Sequence, residues 1–566
     1  MPGVGPIVES LVAGGRVHAG RDAAARAALA RATAREVAHV ADAWIDAALA
    51  IKNRNERTGA AVGVPAAAWA EEAATGPVVT LRLLTITVRA LDDLARHGVP
   101  TAPRTPLLLH GQAAGGEPRF VGVPVLPVSG MWDGAVFGGH TAVARCVNPG
   151  GLEAFGRSWR EEAATRPRGG GVCAVLGAGN VTGLSVADAI SQIFEHGRAV
   201  LLKLHPLHAP FEPVFRAAFA PLVEAGLVAI ISGGPDVARE AVHDPGVTHV
   251  HLTGGQAAFD ALVWGEPGPH AAGASPVLTK PMTCELGNVT PWIVVPGRYT
   301  PRQLRAQADM VAASILNNTS FNCIATKCLV TARDWAQREE FLGLVRARLE
   351  SQPARPAWYP HATAGWETLA GSPAPADGTL PPILRTGLDP AADAHWLERE
   401  WFLPAAVEVP LAADSLDAFC GAAADFVRRL PGSLAASVTA PHGLAAHDAR
   451  RVDLLVEHLE YGVVARNTWS ALAYALANVP WGGYPGATLA DPRSGIGRVH
   501  DPLLLPLVHN AIIAGPLAPW PAPAWLPWHP RAARLARGVV DAYAAIAAGR
   551  GATWPMLRML PDALAG

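Results

Sequence analysis

The sequence predicts an α/β protein with two doubly wound parallel-sheet domains, and three observations lead to this prediction. Short β-branched runs alternate with longer helical patterns from residue 171 to 286, as expected where helices connect parallel strands. A second series of the same kind begins after Glu285. The length of 566 residues also exceeds the roughly 250 to 300 residues at which a single core usually stops growing.

The predicted elements begin with one or two alanine-rich helices at residues 22–52, where apolar side chains recur at helical spacing. Residues 100–170 are dense in glycine and proline and predict loops and a few strands, with a hairpin as one arrangement. The strand patterns that follow are GVCAVLG, AVLLKLH, LVAIIS, THVHLTG, PWIVV, KCLVT, AAVEV, SLAASV and YGVVAR. Residues 351–396 predict an irregular excursion.

Composition and charge exclude several classes of partner. The 46 basic and 48 acidic side chains give a formal net charge of −2, so no overall field attracts nucleic acid or anionic lipid. We expect no secretory signal, because the N-terminus lacks a basic region followed by an apolar one. Residues 501–520 are apolar but interrupted by prolines and polar residues, which favours buried core over a membrane span. We therefore expect a cytoplasmic protein with a small-molecule partner.

The cysteines and histidines predict neither disulfides nor a metal site. The six cysteines lie far apart and form no disulfide framework, which is typical of a reducing compartment; they are Cys146, Cys173, Cys284, Cys323, Cys328 and Cys420. The pairs His205 with His208 and His249 with His251 have no cysteine or carboxylate companions at ligand spacing. We expect structural histidines rather than zinc ligands.

Three segments after predicted strands have the form of nucleotide-binding turns. The segment from Gly177 to Gly183, with Gly179 inside it, follows a strand and opens a helix, which is the context of a dinucleotide fingerprint. Lys203 ends the next strand, where it could donate to ribose or phosphate oxygens or simply be solvated. Residues Thr253, Gly254 and Gly255 bring bare backbone to a helix N-terminus, which favours either a phosphate or a tight turn.

The strongest pattern lies between residues 279 and 331. Here Cys284-Glu285-Leu286-Gly287-Asn288 precedes a strand, a helix and the polar turn NNTSFNCIATK, which contains Cys323. This arrangement resembles the E-L-G-G and N-x-G-Q-x-C-x-A motifs of the aldehyde dehydrogenase superfamily. Further stations follow in the family's order, and they are Asn180, Lys203, the segment 400–404 (EWFLP), the segment 462–467 (GVVARN), and PWGG with SGIG at 480–497.

The resemblance implies a role for each matching residue. Cys323 would be the nucleophile that attacks an aldehyde carbon, and Asn180 with the cysteine backbone amide would stabilise the oxyanion. Glu285 would activate the water that hydrolyses the thioester and help to deprotonate the thiol. Lys203 and Glu400 would hold the two riboses of NAD or NADP.

The resemblance also bears on cofactor choice and assembly. Phe402 would lie near the nicotinamide, and the glycine turns at 179 and 253–255 would line the dinucleotide. Pro206 stands where members that prefer NAD often have a glutamate, so NADP stays open. Family members usually form dimers or tetramers, and we expect a homo-oligomer.

The resemblance divides the chain into three parts, with the active site between two domains. A discontinuous cofactor-binding domain would comprise residues 1–285 and 470–514, and residues 286–469 would form the catalytic domain with the cysteine. Residues 515–566 form a linker rich in proline and tryptophan, then an alanine-rich helix, and no role for this tail follows from its sequence.

Several positions depart from the family pattern. Ser320, Phe321 and Asn322 replace the usual glycine and glutamine before the cysteine, and Asn288 replaces the second glycine of E-L-G-G. Two alternatives to aldehyde oxidation therefore remain: acyl transfer to or from coenzyme A, and a catalytically inactive relative that binds nucleotide. The tryptophans and prolines of residues 351–396 would suit a hydrophobic substrate mouth or plain packing.

Overall fold

The computed structural model describes residues 3–109, 118–271 and 273–565, and its chain begins with five helices. They are α1 (Val4–Ala19), α2 (Ala23–His39), α3 (Ala41–Lys52), α4 (Ala67–Ala73) and α5 (Val79–His97). The predicted opening helices at 22–52 correspond to α2 and α3. The side chain of Asp22 caps α2 by accepting the Ala25 N–H at 2.7 Å, and α5 ends at Gly98, whose φ is +73°.

The continuous helical stretch Ala67–His97 is long and apolar enough to cross a membrane, but 72% of its most apolar window is buried inside the protein. A short π-helical turn, Ala74–Val78, joins α4 to α5 within it. Burial of this extent is what a core helix shows, and length with composition alone is weak support for a membrane span.

An antiparallel arm follows the helices. Its elements are β1 (Leu107–Leu109), β2 (Phe120–Leu126), α6 (Asp133–Val136) and β3 (Thr141–Val147). Strands β2 and β3 pair antiparallel, with Phe120 opposite Val147, so the hairpin arrangement is the one adopted. Residues 110–117 of this predicted stretch lie outside the described residues.

The first series of alternating strands and helices was predicted from its periodicity and is present. It consists of α7 (Leu152–Thr165), β4 (Val172–Leu176), α8 (Leu184–Phe194), β5 (Ala199–Lys203), α9 (Glu212–Ala218), α10 (Ala220–Glu224), β6 (Val228–Ile231), α11 (Pro235–His243), β7 (His249–Gly254), α12 (Gln256–Val263) and β8 (Met282–Leu286).

The second series follows the same logic. It consists of β9 (Pro291–Val294), α13 (Pro301–Leu316), β10 (Cys328–Ala332), α14 (Arg338–Glu350), β11 (Arg355–Pro356), α15 (Ala362–Ala370), β12 (Thr379–Leu380), β13 (Ile383–Arg385), β14 (Ala405–Leu411), α16 (Leu416–Val427), β15 (Ala435–Thr439), α17 (Ala446–His458) and β16 (Val463–Arg466). Helix α13 begins at a capping box, in which Thr300 and Gln303 exchange hydrogen bonds.

The last elements return to both halves of the molecule. They are α18 (Ala471–Leu476), β17 (Gly495–Ile496), β18 (Val508–Ala514), α19 (Ala532–Ala547) and α20 (Thr553–Leu564). Residues 501–520, predicted as buried core, include Leu503, Leu504 and Leu505, each at most 5% exposed. The predicted alanine-rich tail helix is α19.

Two large sheets organise the fold, in agreement with the predicted class. The smaller has six strands in the order β17-β8-β7-β4-β5-β6, parallel except for β17. The larger has ten strands in the order β1-β2-β3-β18-β16-β15-β9-β10-β14-β13. It is parallel from β18 to β13 and antiparallel from β1 to β18. Helices between parallel strands cover the sheet faces, as in doubly wound folds.

Sheet membership cuts across the predicted domain boundaries. The arm strands β2 and β3, together with β18, join the larger sheet that contains the catalytic half, although they lie within residues 1–285 and 470–514. The irregular stretch 351–396 contributes to the core of that half, because Trp358, Trp366 and Trp396 are at most 7% exposed. Its tryptophans therefore serve packing.

Candidate active site

Four predicted site residues lie at the carboxyl edge of the six-stranded sheet. Lys203 is the last residue of β5, and Thr253 pairs in register with Glu285 near the ends of β7 and β8. Asn180 follows β4 in the turn that leads to α8. This edge is where doubly wound folds bind ligands, because the loops leave the sheet there and helix N-termini point towards it.

The turn that presents Cys323 connects α13 to β10 and has an unusual backbone. Asn318, Thr319 and Ser320 have φ angles of +53°, +56° and +63°, in the left-handed region that residues with a side chain rarely adopt. Each left-handed residue costs about 1–2 kcal/mol. Contacts from the rest of the fold must therefore hold the turn in this conformation.

Asn318 is the centre of a buried polar cluster that holds the turn. Its side-chain amide donates to the carbonyl oxygens of Asn180 at 2.9 Å and Phe321 at 3.0 Å. Its side-chain oxygen accepts a hydrogen bond from Lys52 Nζ at 2.7 Å, and its backbone N–H donates to Glu71 Oε2 at 3.2 Å. Removing a buried partner is costly because the remaining groups stay desolvated and unpaired.

Buried ion pairs neutralise the charges of this cluster. Lys52 pairs with Glu72, and Arg355 donates to both carboxylate oxygens of Glu71 at 2.7 Å. Lys52 Nζ also lies 4.8 Å from the ring centroid of Trp358, a cation–π distance. The ends of α3 and α4 are thus tied to the nucleophile turn, although they lie far from it in sequence.

Two further side chains brace the turn from the larger sheet. Lys327 Nζ donates to Ser320 Oγ and to the Leu403 carbonyl, both at 2.8 Å, and burial lowers the pKa of this lysine. Asn322 Nδ2 donates to Asn317 Oδ1 at 2.7 Å. The polar residues that replace the family's glycine and glutamine therefore make the turn's own hydrogen bonds.

Asn288, the other departure from the motif, is also accommodated by specific contacts. Its Nδ2 donates to the Ala435 carbonyl at 3.1 Å. The Thr290 hydroxyl lies 3.0 Å from Asn288 Oδ1 and 3.1 Å from the carbonyl oxygen of Cys323. The substitution links the end of β8 to β15 and to the nucleophile turn.

Cys323 is the only half-exposed cysteine of the six; the other five are buried. Its Sγ lies 3.6 Å from Glu285 Oε1, within hydrogen-bonding distance for a thiol. Burial of the sulfur and the nearby carboxylates of Glu285 and Glu400 raise the pKa of the Cys323 thiol well above its usual value. The resting sulfur is therefore a thiol, and a base must take its proton before it can react as a thiolate.

Glu285 is the base in reach. It is 3% exposed, and burial, followed by the negative charge of Asp188, raises the pKa of Glu285 to about 7. A carboxylate with such a pKa is half ionised near neutral pH, which suits proton exchange in both directions. Among the described residues, Glu285 Oε2 has no hydrogen-bond partner, so one oxygen stays available for a second proton donor such as water.

The Asn180 side chain is held beside the thiol by a single hydrogen bond. Its Nδ2 donates to the Phe321 carbonyl at 3.0 Å, which uses one of the two N–H groups of the amide. The second N–H remains available to a ligand oxygen. Asn180, Glu285 and Cys323 all line the same cavity.

This cavity is mostly apolar and has an empty volume of about 990 Å³, counting its open mouth. Three groups of residues surround the site residues: the small side chains of α4, the segment 469–481, and residues 524–527 with Ala532 from the C-terminal tail. Residues 351–396, expected as a hydrophobic mouth, contribute no lining residue in the described part of the chain. The structure corrects that expectation, because those tryptophans are buried in the core.

The predicted ribose contacts retain unused polar groups. In the described part of the chain, the Lys203 ammonium has no hydrogen-bond or ion-pair partner although the residue is only 7% exposed. Burial lowers the pKa of Lys203. Glu400 Oε1 is buried and likewise lacks a partner among described residues. Groups left unpaired in this way fit a ligand that supplies hydroxyl and phosphate oxygens, as a dinucleotide does.

The glycine turn after β7 is open. Gly255 caps α12, and an added side chain there would meet no neighbouring atom within 4 Å. Neighbouring Thr253 is engaged instead, because its hydroxyl donates to Asp188 Oδ2 at 2.8 Å. Gly254 and Gly255 therefore offer backbone to a ligand, whereas the Thr253 side chain orients the acid next to Glu285.

The other predicted cofactor contacts border a row of rings. Any side chain at Gly179 would overlap the imidazole of His205, which stacks on Tyr359 at 6.3 Å. Phe402 lies 5.1 Å from Tyr359 between ring centroids. Pro206 begins the short 3-10 helix Pro206–Phe211 and presents no carboxylate. These rings lie between the Lys203 and Glu400 sides of the site.

Sequence reasoning missed several residues that build the site. Lys52 reaches the turn from a helix 266 positions away, and nothing in the local pattern of α3 indicates it. Trp469 Nε1 donates to the carbonyl of Ile324, next to the nucleophile, at 2.8 Å. Trp525 belongs to the tail for which no role was predicted. Only Lys327, inside the cysteine motif itself, had a signal in its position.

Comparisons with known proteins agree with this site. Residues 141–365 match the model described as the aldehyde dehydrogenase family. No curated protein matches the sequence.

Solved structures of aldehyde dehydrogenases align with most of the chain. The substrate-bound state of Staphylococcus aureus AldH is 14% identical with a TM-score of 0.60, covering 91% of this chain and 94% of that chain. Pseudomonas aeruginosa aldehyde dehydrogenase KauB is 15% identical, with a TM-score of 0.58 and coverage of 90% and 88%. NADP-dependent glyceraldehyde-3-phosphate dehydrogenase from Bacillus halodurans, complexed with NADP, is 15% identical, with a TM-score of 0.57 and coverage of 90% of both chains. At these identities the likeness is one of fold.

Proposed function

The fold and residues 141–365 are those of the aldehyde dehydrogenase superfamily, and from that premise we propose that the protein oxidises an aldehyde to a carboxylic acid with NAD or NADP. The observation that carries the proposal is the group of Cys323, Glu285 and Asn180 around one cavity, with the thiol 3.6 Å from the carboxylate. A nucleophile, a base and an oxyanion donor are the groups that acyl chemistry on a cysteine requires.

In the first step, Cys323 Sγ adds to the aldehyde carbon while Glu285 Oε1 takes the thiol proton. The carbonyl oxygen becomes an oxyanion, and it accepts hydrogen bonds from the free N–H of Asn180 and from the backbone N–H of Cys323. Because Glu285 has a pKa of about 7, it accepts this proton readily at neutral pH.

A nicotinamide dinucleotide, when bound, supplies the hydride acceptor for this oxidation. Lys203 and Glu400 would hold its ribose hydroxyls, and the open backbone of Gly254 and Gly255 would receive phosphate oxygens. Pro206 adds no negative charge near the adenosine side, so an additional phosphate meets no carboxylate from that residue. The proposal therefore includes both NAD and NADP.

The acyl group then leaves Cys323 by hydrolysis. Glu285 abstracts a proton from water through its unpaired carboxylate oxygen, the resulting hydroxide attacks the thioester carbon, and the carbon–sulfur bond breaks. The same Asn180 N–H stabilises the second oxyanion. A retained base at Glu285 favours water as acyl acceptor over coenzyme A.

The remaining expectations stand as part of the proposal. Residues 1–285 with 470–514 would bind the cofactor, and residues 286–469 would contain the nucleophile. The protein would act on a small aldehyde as a cytoplasmic dimer or tetramer.

The test is the reduction of NAD and NADP by purified protein with a panel of aldehydes, followed by absorbance. Cys323→Ser should abolish turnover while thermal unfolding stays unchanged. Cys328→Ser, which replaces a buried cysteine outside the cavity, is the matched control and should retain turnover. Equal turnover by Cys323→Ser and wild type would refute the proposal. Formation of acyl-CoA when coenzyme A is added would instead identify the acyl-transfer alternative.

A further inference from the structure

The C-terminal tail reaches the same cavity as the nucleophile. Residues Ala524, Trp525, Leu526 and Pro527 line it together with Cys323, Glu285 and Asn180. The tail therefore forms part of the cavity wall on the side away from the glycine turns of the smaller sheet, and the sequence had suggested no role for it.

The tail is anchored on both sides of this wall segment. Before it, Leu517 is 1% exposed and its carbonyl accepts a hydrogen bond from Gln307 Nε2 of α13 at 2.8 Å. After it, the ring of Trp528 lies 4.4 Å from the guanidinium of Arg348. Helix α19 then packs on α2, α4 and α5. A segment tied at both ends to different halves of the molecule keeps a defined position over the cavity.

One aromatic pair couples this wall to the nucleophile turn. The ring centroids of Trp525 and Trp469 lie 5.3 Å apart, and Trp469 is itself fixed by its hydrogen bond to the Ile324 carbonyl at 2.8 Å. Because Ile324 follows Cys323 directly, the indole pair stands next to the carbon at which an aldehyde would react. A substrate chain would pass along these rings.

The charge of the lining selects against anions. Among the described residues, the lining contains no lysine, arginine or histidine, and its two carboxylates are Glu71 and Glu285. Glu71 is already paired with Arg355. An aldehyde with a carboxylate or phosphate would lose its hydration shell without gaining a cationic partner, which is unfavourable.

We propose that the tail segment Ala524–Pro527 is the specificity wall of the substrate channel and that Trp525, facing Trp469, selects uncharged apolar aldehydes. This inference rests on the proposed function for its substrate, but the wall itself can be tested without turnover. Cys323 is the reporter, because the other five cysteines are buried.

The first experiment measures alkylation of Cys323 by mass spectrometry, using two maleimides. One has a butyl chain and the other has a chain of equal length that ends in a carboxylate, and each rate is divided by its rate with neutral mercaptoethanol. In wild type the butyl reagent should react at least about tenfold faster than the charged one on this scale. Trp525→Ala should reduce the preference several-fold, and Cys323→Ser gives the background.

Two variants keep the test independent of folding effects. Trp520→Ala removes an indole from the same tail at a position that is 70% exposed and outside the cavity lining, so it should keep the wild-type preference. Ala524→Trp adds an indole at an exposed position at the cavity, and it should slow the butyl reagent by blocking the mouth. Thermal unfolding of each variant verifies the fold.

The second experiment compares kcat/KM for hexanal and for a four-carbon aldehyde with a terminal carboxylate. Wild type should prefer hexanal, and Trp525→Ala should lower this preference about tenfold. Absence of turnover on every aldehyde would refute the proposed function while the maleimide rates still test the wall. Equal labelling of wild type by both maleimides, or unchanged preferences in both Trp525→Ala and Ala524→Trp, would overturn the specificity wall.

Discussion

At the scale of single residues, the site depends on two acidities that environment has shifted in the same direction. Burial and nearby carboxylates raise the pKa of the Cys323 thiol, and burial raises the pKa of Glu285 to about 7. A thiol that holds its proton is protected from oxidation until a base and a substrate are both present. Glu285 is that base, and its own ionisation should control the rate.

The first prediction concerns the pH dependence of the reaction. Because the raised pKa keeps Glu285 protonated below about pH 7, kcat/KM should rise with pH through that value and level off above it. Glu285→Gln should lower kcat by about 10²–10⁴-fold and remove this limb. Initial rates from pH 5.5 to 9 measure both effects, with Glu153→Gln on the surface as control. A wild-type profile that is flat between pH 6 and 8 would contradict the role.

The second prediction concerns Lys203, whose ammonium has no partner among the described residues. Lys203→Ala should weaken NAD or NADP binding about tenfold, because a charged hydrogen bond is worth about 1.5–3 kcal/mol. Fluorescence titration of the purified protein measures the dissociation constant without turnover. Lys280→Ala is the control, because Lys280 bonds the Asp244 carbonyl instead. Unchanged affinity in Lys203→Ala would exclude Lys203 from the cofactor site.

At the scale of elements, the nucleophile turn between α13 and β10 is strained, and α3 and α4 hold it in place. Three consecutive left-handed residues are stable here only because Asn318 satisfies four buried groups at once. The same asparagine contacts the backbone of Asn180, so the nucleophile and the oxyanion donor are positioned by one side chain.

The third prediction separates the hydrogen bonds of the turn from its backbone strain. Asn318→Ala should lower the free energy of unfolding by about 2–4 kcal/mol, since several buried partners lose their bonds. Thr319→Gly should change it by less than about 1 kcal/mol, because relief of left-handed strain offsets the flexibility of glycine. Urea denaturation measures both variants. Equal losses in the two would show that the turn is not held by Asn318.

At the scale of the whole molecule, the two ends of the chain depend on each other. Arg82 of α5 donates to both oxygens of Asp133 at 2.7 and 2.9 Å and to the Tyr543 hydroxyl of α19 at 3.0 Å. Arg82 and Asp133 are at most 2% exposed. This buried ion pair connects an N-terminal helix, the arm and the tail that lines the cavity.

The fourth prediction compares this pair with one on the surface. Asp133→Ala should cost about 3–5 kcal/mol of unfolding free energy, because it leaves the Arg82 charge buried without its carboxylate. Glu153→Ala, which removes the partner of Arg157 where the glutamate side chain is 91% exposed, should cost at most about 1 kcal/mol. Chemical denaturation measures both. A small loss in Asp133→Ala would mean that water reaches the pair.

Much of the fold followed from local periodicity. The strands and helices from 171 to 350 were predicted because alternating β-branched and amphipathic runs report burial on a sheet or helix face, whatever the rest of the chain does. The first helix and the long stretch Ala67–His97 were not predicted. Two alanine-rich helices had been recognised at 22–52, but the neighbouring segments mix glycine, proline and threonine with apolar residues.

The sequence by itself determined which residues could carry the chemistry, because motif order and spacing set Asn180, Glu285 and Cys323 at the ends of successive elements. Only the tertiary structure decided how they are held and what may reach them. Lys52 meets Asn318 across 266 positions, and Trp525 meets Trp469 at the cavity. Such contacts depend on how whole layers pack, so no local pattern of residues reports them.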